Sequence, residues 1–196
     1  EMSRGLGDVY KRQTVDSEVV LSLIARSRKK TLEERVAEAA NAIKGAFAIL
    51  IMSNDKLIAF RDPYGFRPLC LGRLDHGWVV ASETCALDLV GAHYVRDIKP
   101  GEMIVIDDAD KEPTSLMYAQ HQPEHRAHCI FEFVYFARPD SIMDGESIYL
   151  ARVNMGRILA RETKDIKADI VISVPDSGTP AAIGYGLEKG CLLYTS

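Results

Sequence analysis

The run from Ala168 to Glu188, ADIVISVPDSGTPAAIGYGLE, constrains the fold more than any other stretch of the chain. Ile170, Val171, Ile172 and Val174 read as a buried strand that breaks at Pro175. Asp176, Ser177, Gly178 and Thr179 form a loop, and a small-residue helix resumes from Pro180. A parallel strand that turns through a short loop bearing Gly and hydroxyl groups into a helix aims several backbone N–H groups at one point. With the positive end of the helix behind them, those groups bind anions, phosphates above all. A unit of this kind belongs to a parallel α/β sheet, and little chain follows it here.

Composition narrows the rest. In 196 residues, 47% of them apolar, there is material for one large domain or two small ones with a real core. A net charge of −4 without a basic run lacks the electrostatic footprint of a nucleic-acid binder. No apolar stretch approaches the roughly 20 residues that span a bilayer, and no signal-peptide pattern opens the chain. Cys70, Cys85, Cys129 and Cys191 show no C-x-x-C spacing, so reduced thiols and a cytoplasmic location are expected. Residues 1–13, EMSRGLGDVYKRQ, have no periodicity, and residues 191–196, CLLYTS, have nothing evident to pair with. Both are expected to be foreign sequence.

Between these ends the hydrophobic pattern gives a definite order of elements. Val19, Val20, Leu23 and Ile24 make a helical stripe over Asp16 to Ser27, with Asp16 suited to cap it. Thr31 followed by Glu34 makes a capping box for a helix from Leu32 to Lys44, stopped by Gly45. Ala46 to Met52, AFAILIM, reads as a central strand. Lys56 to Phe60, Leu69 to Leu71 and Trp78 to Ala81 read as further strands separated by turns. A short helix is expected over Glu83 to Val90, then strands near Tyr94 to Ile98 and Met103 to Ile106. Helices followed by a meander predict an α+β layered domain. Asp107 to Ala127 turns polar and carries the domain boundary, near Glu124. A strand over Ile130 to Phe136, the loop Arg138-Pro139-Asp140-Ser141 and a helix over Ser147 to Glu162 lead to the opening feature.

Six blocks in this order resemble one family: RDPYGFRPL (Arg61 to Leu69), ASETCAL (Ala81 to Leu87), PGEM (Pro100 to Met103), CIFEFVYFARPDS (Cys129 to Ser141), ARVNMG (Ala151 to Gly156) and VPDSGTPAAIGY (Val174 to Tyr185). They are similar to the amidophosphoribosyltransferases, and CIFEFVYFARPDS joined to ARVNMG is the most specific part. The resemblance implies residues 14–123 as the C-terminal part of a class II glutaminase, an α+β N-terminal-nucleophile hydrolase fold. It implies residues 124–190 as the α/β start of a type I phosphoribosyltransferase domain. The activity implied is formation of 5-phosphoribosylamine, glutamate and pyrophosphate from glutamine and phosphoribosyl pyrophosphate, with Mg²⁺ present, at the start of purine synthesis. A cytoplasmic homotetramer is implied for the full-length enzyme.

Residue by residue, the resemblance places Asp16 on the α-amino group of glutamine, although Val15 stands where the family usually has Ser. It places Asp176, Ser177, Gly178 and Thr179 at the pyrophosphate, with the Asp176 carboxylate working through Mg²⁺ or water, or capping the loop. Cys129 matches the first of four ligands to a 4Fe–4S cluster in one branch of the family. In this chain an inert buried thiol is the plainer expectation. Arg61, Asp62, Arg67, Ser82 and Glu83 read as surface turn and cap chemistry without a catalytic role. Arg138 and Asp140 read as an ion pair organising their loop beside Ser141, with a place on an interdomain ammonia path as the alternative. His121, His125 and His128 read as solvated linker residues. The nucleophilic cysteine and the main phosphoribosyl motif of the family are not in this sequence, so an internal piece without activity of its own is expected. Two other readings stay open: a class II amidotransferase serving another acceptor, and a non-catalytic paralogue that binds phosphorylated ligands.

Overall fold

The computed structural model describes residues 17–121, 123 and 125–194. Helix α1 (Ser17–Arg26) buries Val20 and Ile24, the inner half of its apolar stripe. Helix α2 (Leu32–Ala42) starts in the expected capping box. Thr31 Oγ1 accepts the Glu34 N–H at 3.3 Å, and Glu34 Oε2 accepts the Thr31 N–H at 3.2 Å. The helix ends three residues before Gly45, at Ala42, with Ile43 as an extended C-cap.

Two antiparallel sheets follow. The first runs β1 (Ala48–Met52), β2 (Leu57–Arg61), β6 (Glu102–Ile106), β7 (Thr114–Met117). The second has the order β4 (Gly77–Ala81), β3 (Cys70–Leu74), β5 (His93–Asp97). Side chains alternate across the first sheet as the pleat requires. Ile58 and Phe60 of β2 with Met103 and Val105 of β6 face α1 and α2, in a core that includes Val36, Ala40, Phe47 and Tyr118. Ala59 and Ile104, on the opposite side, pack with Leu69, Leu71 and Ile98 between the sheets. Helix α3 (Thr84–Leu89) covers the outer face of the second sheet through Leu87, beside Cys70 and Ala92. The result is four layers: helices, sheet, sheet, helix.

After the polar segment the chain forms a π-helix, Glu132–Phe136, in which the Ala137 N–H donates to the Glu132 carbonyl at 3.0 Å. A tight hairpin of β8 (Ile142–Met143) and β9 (Glu146–Ser147) leads into α4 (Ile148–Glu162), whose first turn Ser147 caps. Then come β10 (Ile170–Ile172), α5 (Thr179–Lys189) and β11 (Leu192–Tyr194), with β10 and β11 parallel. Helices α4 and α5 cross at two glycines. A Cβ on Gly156 would stand 1.8 Å from the Ala181 carbonyl oxygen, and one on Gly184 would stand 1.9 Å from that of Val153.

Several expectations are corrected. The apolar run that reads as a central strand forms β1, at the border of its sheet among the described residues, and Met52 is 84% exposed. Ile130 to Phe136 is helical, because an apolar run of this length has no period that separates strand from helix. Buried Arg152 decides the matter, its guanidinium donating to the Phe133 carbonyl at 2.6 Å and the Ala137 carbonyl at 2.7 Å. The polar segment contains β7, a strand without buried residues. The strand at Ile170 is not buried: Ile172 is 73% and Val174 80% exposed, since among the described residues only β11 and one helix layer accompany it. Leu192 to Tyr194 do have a pairing partner, in β10.

Candidate functional site

Two places are candidates for functional chemistry, and the first is the loop between β10 and α5. The Gly178 N–H donates to the Val174 carbonyl at 3.1 Å and the Thr179 N–H to the Asp176 carbonyl at 3.2 Å, so the loop closes on itself. Thr179 Oγ1 and Ser173 Oγ lie 3.2 Å apart and tie its two ends. A Cβ on Gly178 would meet the Val174 carbonyl oxygen at 2.6 Å, so only glycine allows this closure. The turn consumes two of the four loop N–H groups, and Pro180 has none. Those of Asp176 and Ser177 have no protein acceptor among the described residues. The Asp176 side chain is exposed, while Ser177 and Thr179 are half-buried. The structure thus leaves two amide donors, one hydroxyl and a helix start for an anion, not four amides.

The second place is the seam between the layered sheets and the later helices. Arg61 and Asp62, expected on the surface, are 2% and 0% exposed. Asp62 gathers the turn after β2 by accepting the N–H groups of Tyr64 at 2.9 Å, Phe66 at 3.1 Å and Phe47 at 3.3 Å. Arg61 donates to the carbonyls of Arg67 at 2.6 Å, Ile98 at 2.9 Å and Gly65 at 3.0 Å, and burial lowers its pKa. Residue type alone could not place them, because the same Asp-Pro-x-Gly turn forms equally well in water. Ser82 is not the cap of α3; Glu83 occupies that position and makes no side-chain cap bond.

Glu83 instead reaches across the seam. Its Oε2 accepts the Arg138 N–H at 2.8 Å and the Ser141 hydroxyl at 2.7 Å. Beside it Thr84 Oγ1 accepts the Ile142 N–H at 2.8 Å. The expected Arg138–Asp140 pair is present in forked form, at 3.0 and 2.8 Å. Arg67 pairs with Glu132 at 2.6 Å, which raises the Arg67 pKa, and its guanidinium lies 5.1 Å from the centre of the Phe136 ring. Ala46, Phe47, Arg67, Glu83, Glu132 and Phe136 line an open cavity of about 470 Å³ along this seam.

Asp16 lies outside the described residues. Cys129 is half-buried, its N–H donating to the Phe66 carbonyl at 3.2 Å. Cys70 is buried in β3 beneath α3, Cys85 is buried within α3 and Cys191 lies against the Ala168 carbonyl, so the four thiols do not converge. Among the described residues no three His, Cys, Asp or Glu side chains are placed to hold a metal. The described residues alone therefore do not make up a 4Fe–4S cluster or a complete Mg²⁺ site; Cys129 could serve only with ligands from outside them. Among the described residues no helix is long and apolar enough to cross a membrane.

Comparison with known proteins gives one consistent result. The model of the glutamine amidotransferase domain family matches residues 4–89. The chain is 51% identical over 178 residues to the amidophosphoribosyltransferase of Mycobacterium tuberculosis, covering 90% of this chain and 33% of that protein. The chloroplastic amidophosphoribosyltransferase of Glycine max is 48% identical over 178 residues, covering 90% of this chain and 30% of its own length. Among solved structures, the glutamine phosphoribosylpyrophosphate amidotransferase from B. subtilis complexed with ADP and GMP superposes with a TM-score of 0.86 at 39% identity. That match covers 96% of this chain and 41% of the other. The chain spans about a third of the length of the curated relatives it matches.

Proposed function

We propose, from the kinship with amidophosphoribosyltransferases that runs through 90% of the chain, that it forms the junction of such an enzyme. On this reading residues 14–123 belong to the part that releases ammonia from glutamine. Residues 124–190 open the part that transfers it to phosphoribosyl pyrophosphate. The observation that carries the reading is continuity: a four-layer α+β unit passes through a polar seam into a strand, a glycine-closed loop and a helix. Delivery of ammonia to a different acceptor is less favoured, since the relatives above, a bacterial and a plant protein, carry the same name.

In the proposed reaction ammonia nitrogen bonds to the ribose carbon as the bond from that carbon to pyrophosphate oxygen breaks. Positive charge builds on the ring and negative charge on the leaving group. The 176–179 loop would favour departure by holding the pyrophosphate with the Asp176 and Ser177 N–H groups, the Ser177 hydroxyl and the start of α5. The Asp176 carboxylate is turned to solvent, which limits its repulsion of the anion. Asp16 would receive the glutamine α-amino group.

Titration of the chain with inorganic pyrophosphate, followed by amide NMR, tests the loop. The Asp176 and Ser177 signals are expected to move most. Gly178→Ala, which forces the loop open, is expected to weaken binding by roughly tenfold or more. If the loop amides stay still while other amides move, the assignment of this loop fails.

A further inference from the structure

The turn between β8 and β9, Asp144-Gly145, has φ of +49° and +84°, the left-handed pair that a two-residue hairpin demands. It brings the Asp144 carboxylate into the seam. Asp144 Oδ2 lies 3.0 Å from His128 Nδ1 and 3.9 Å from Arg61 Nη2, and Oδ1 lies 3.6 Å from Arg126. Arg61 belongs to β2 in the first unit; Arg126 and His128 belong to the connecting segment; Asp144 belongs to the hairpin that opens the second.

The electrostatics of Arg61 make this meeting consequential. Its three hydrogen bonds go to carbonyls, which satisfy donors but supply no net charge. Asp62, next in sequence, has its carboxylate turned to three backbone N–H groups. Among the described residues Asp144 is the one carboxylate within ion-pair distance of the buried guanidinium. A buried cation needs counter-charge, and at Arg61 Asp144 acts more strongly than Asp97 and Asp62 of its own unit, so the second unit supplies the foremost part of it.

We propose that Asp144 is the positioning residue of this junction: it gives buried Arg61 its counter-charge across the seam and so fixes the second unit against the first. This role does not depend on the function proposed above. Support comes from Asp97 at the end of β5. Burial raises its carboxyl above the usual range and the nearby Asp144 charge raises it further, while Arg61, the Tyr94 hydroxyl and the Asp144 N–H pull it down.

The test uses the 196-residue chain and its Asp144→Asn variant. Asparagine tolerates the left-handed backbone, so this change removes charge with little strain. Hydrogen exchange is read at the Ala127 and Cys129 amides, which donate to the Tyr64 and Phe66 carbonyls across the seam. Both are expected to exchange at least roughly tenfold faster in the variant, while the sheet-core amides of Ile58 and Ile104 change far less. Carboxyl ¹³C titration should place Asp97 above the usual range in the unaltered chain and lower in the variant. Unchanged seam exchange, or an Asp97 titration that ignores the substitution, overturns the proposal. Neither readout involves pyrophosphate, so failure of the loop assignment and failure of this proposal are separate results.

Discussion

The Glu102 carboxylate is buried at the start of β6, between β2 and β7, and donors surround it. Arg96 grips it in fork geometry at 2.9 and 2.7 Å, and the Lys99 N–H donates at 2.6 Å. The Ser115 hydroxyl donates at 2.5 Å. Burial alone would raise its pKa, but the bonds from Arg96, Ser115 and Lys99 together outweigh burial, and the carboxyl lies below its ordinary value. A group depressed in this way contributes stability that is complete above its unfolded-state pKa and lost as pH falls through the folded one. Glu102→Gln is expected to cost about 2 kcal/mol near neutrality and to flatten the loss of stability in acid. Urea melts across that range, run on both chains, check it; parallel pH dependences would refute the assignment. The block PGEM marks this position in the sequence, but nothing local says that Glu102 faces inward. Its partners come from β5, from β7 and from the turn between β5 and β6.

At the scale of elements, local chemistry was most legible where a side chain caps its own helix. Thr31 and Glu34 form the capping box that their spacing predicts, and Ser147, where the sequence pattern begins a helix, is its N-cap. The crossing of α4 and α5 is of another kind. Gly156 and Gly184 lie inside helices, where alanine would be the better helix former by about 1 kcal/mol. Their backbones are too close to the facing carbonyls to admit a Cβ. Gly156→Ala is therefore expected to destabilise the α4–α5 pair by about 2–4 kcal/mol despite its propensity gain. Denaturant unfolding would reveal this, and a stabilised variant would show that the helices separate freely. The β8–β9 turn carries its own local signal, the Asp144-Gly145 dipeptide suited to a two-residue hairpin. The π-helix was not visible, because Arg152, which holds its carbonyls, follows it by more than a dozen residues.

Over the whole molecule, the seam couples two units of different architecture through the Glu83 and Asp144 carboxylates and the Arg67–Glu132 pair. Trp78, the single tryptophan, lies in β4 and reports on the first unit alone. In the unaltered chain its fluorescence and the far-ultraviolet circular dichroism are expected to report one thermal transition. In Glu83→Ala, which frees the Arg138 N–H and the Ser141 hydroxyl, the dichroism should begin to fall at a lower temperature than the fluorescence. Coincident transitions in that variant would mean that Glu83 does not join the units.

The sequence by itself determined most of the order of helices and strands, the capping box of α2, the strand–loop–helix of residues 170–189 and the similarity carried by its six blocks. Those properties are local: each depends on residues within a few positions of one another, or on a string of residue types. Tertiary structure alone decided that β1 borders its sheet, that Ile130 to Phe136 coils as a π-helix, and that Arg61 and Asp62 are buried. It also decided that two of the loop's four N–H groups are consumed in closing it. Apart from the loop closure, which is local, these outcomes turn on partners distant in sequence: Arg152 for the π-helix, Ile98 and Asp144 for Arg61. Hydrophobic pattern specifies that a segment must be covered; only the folded chain specifies what covers it.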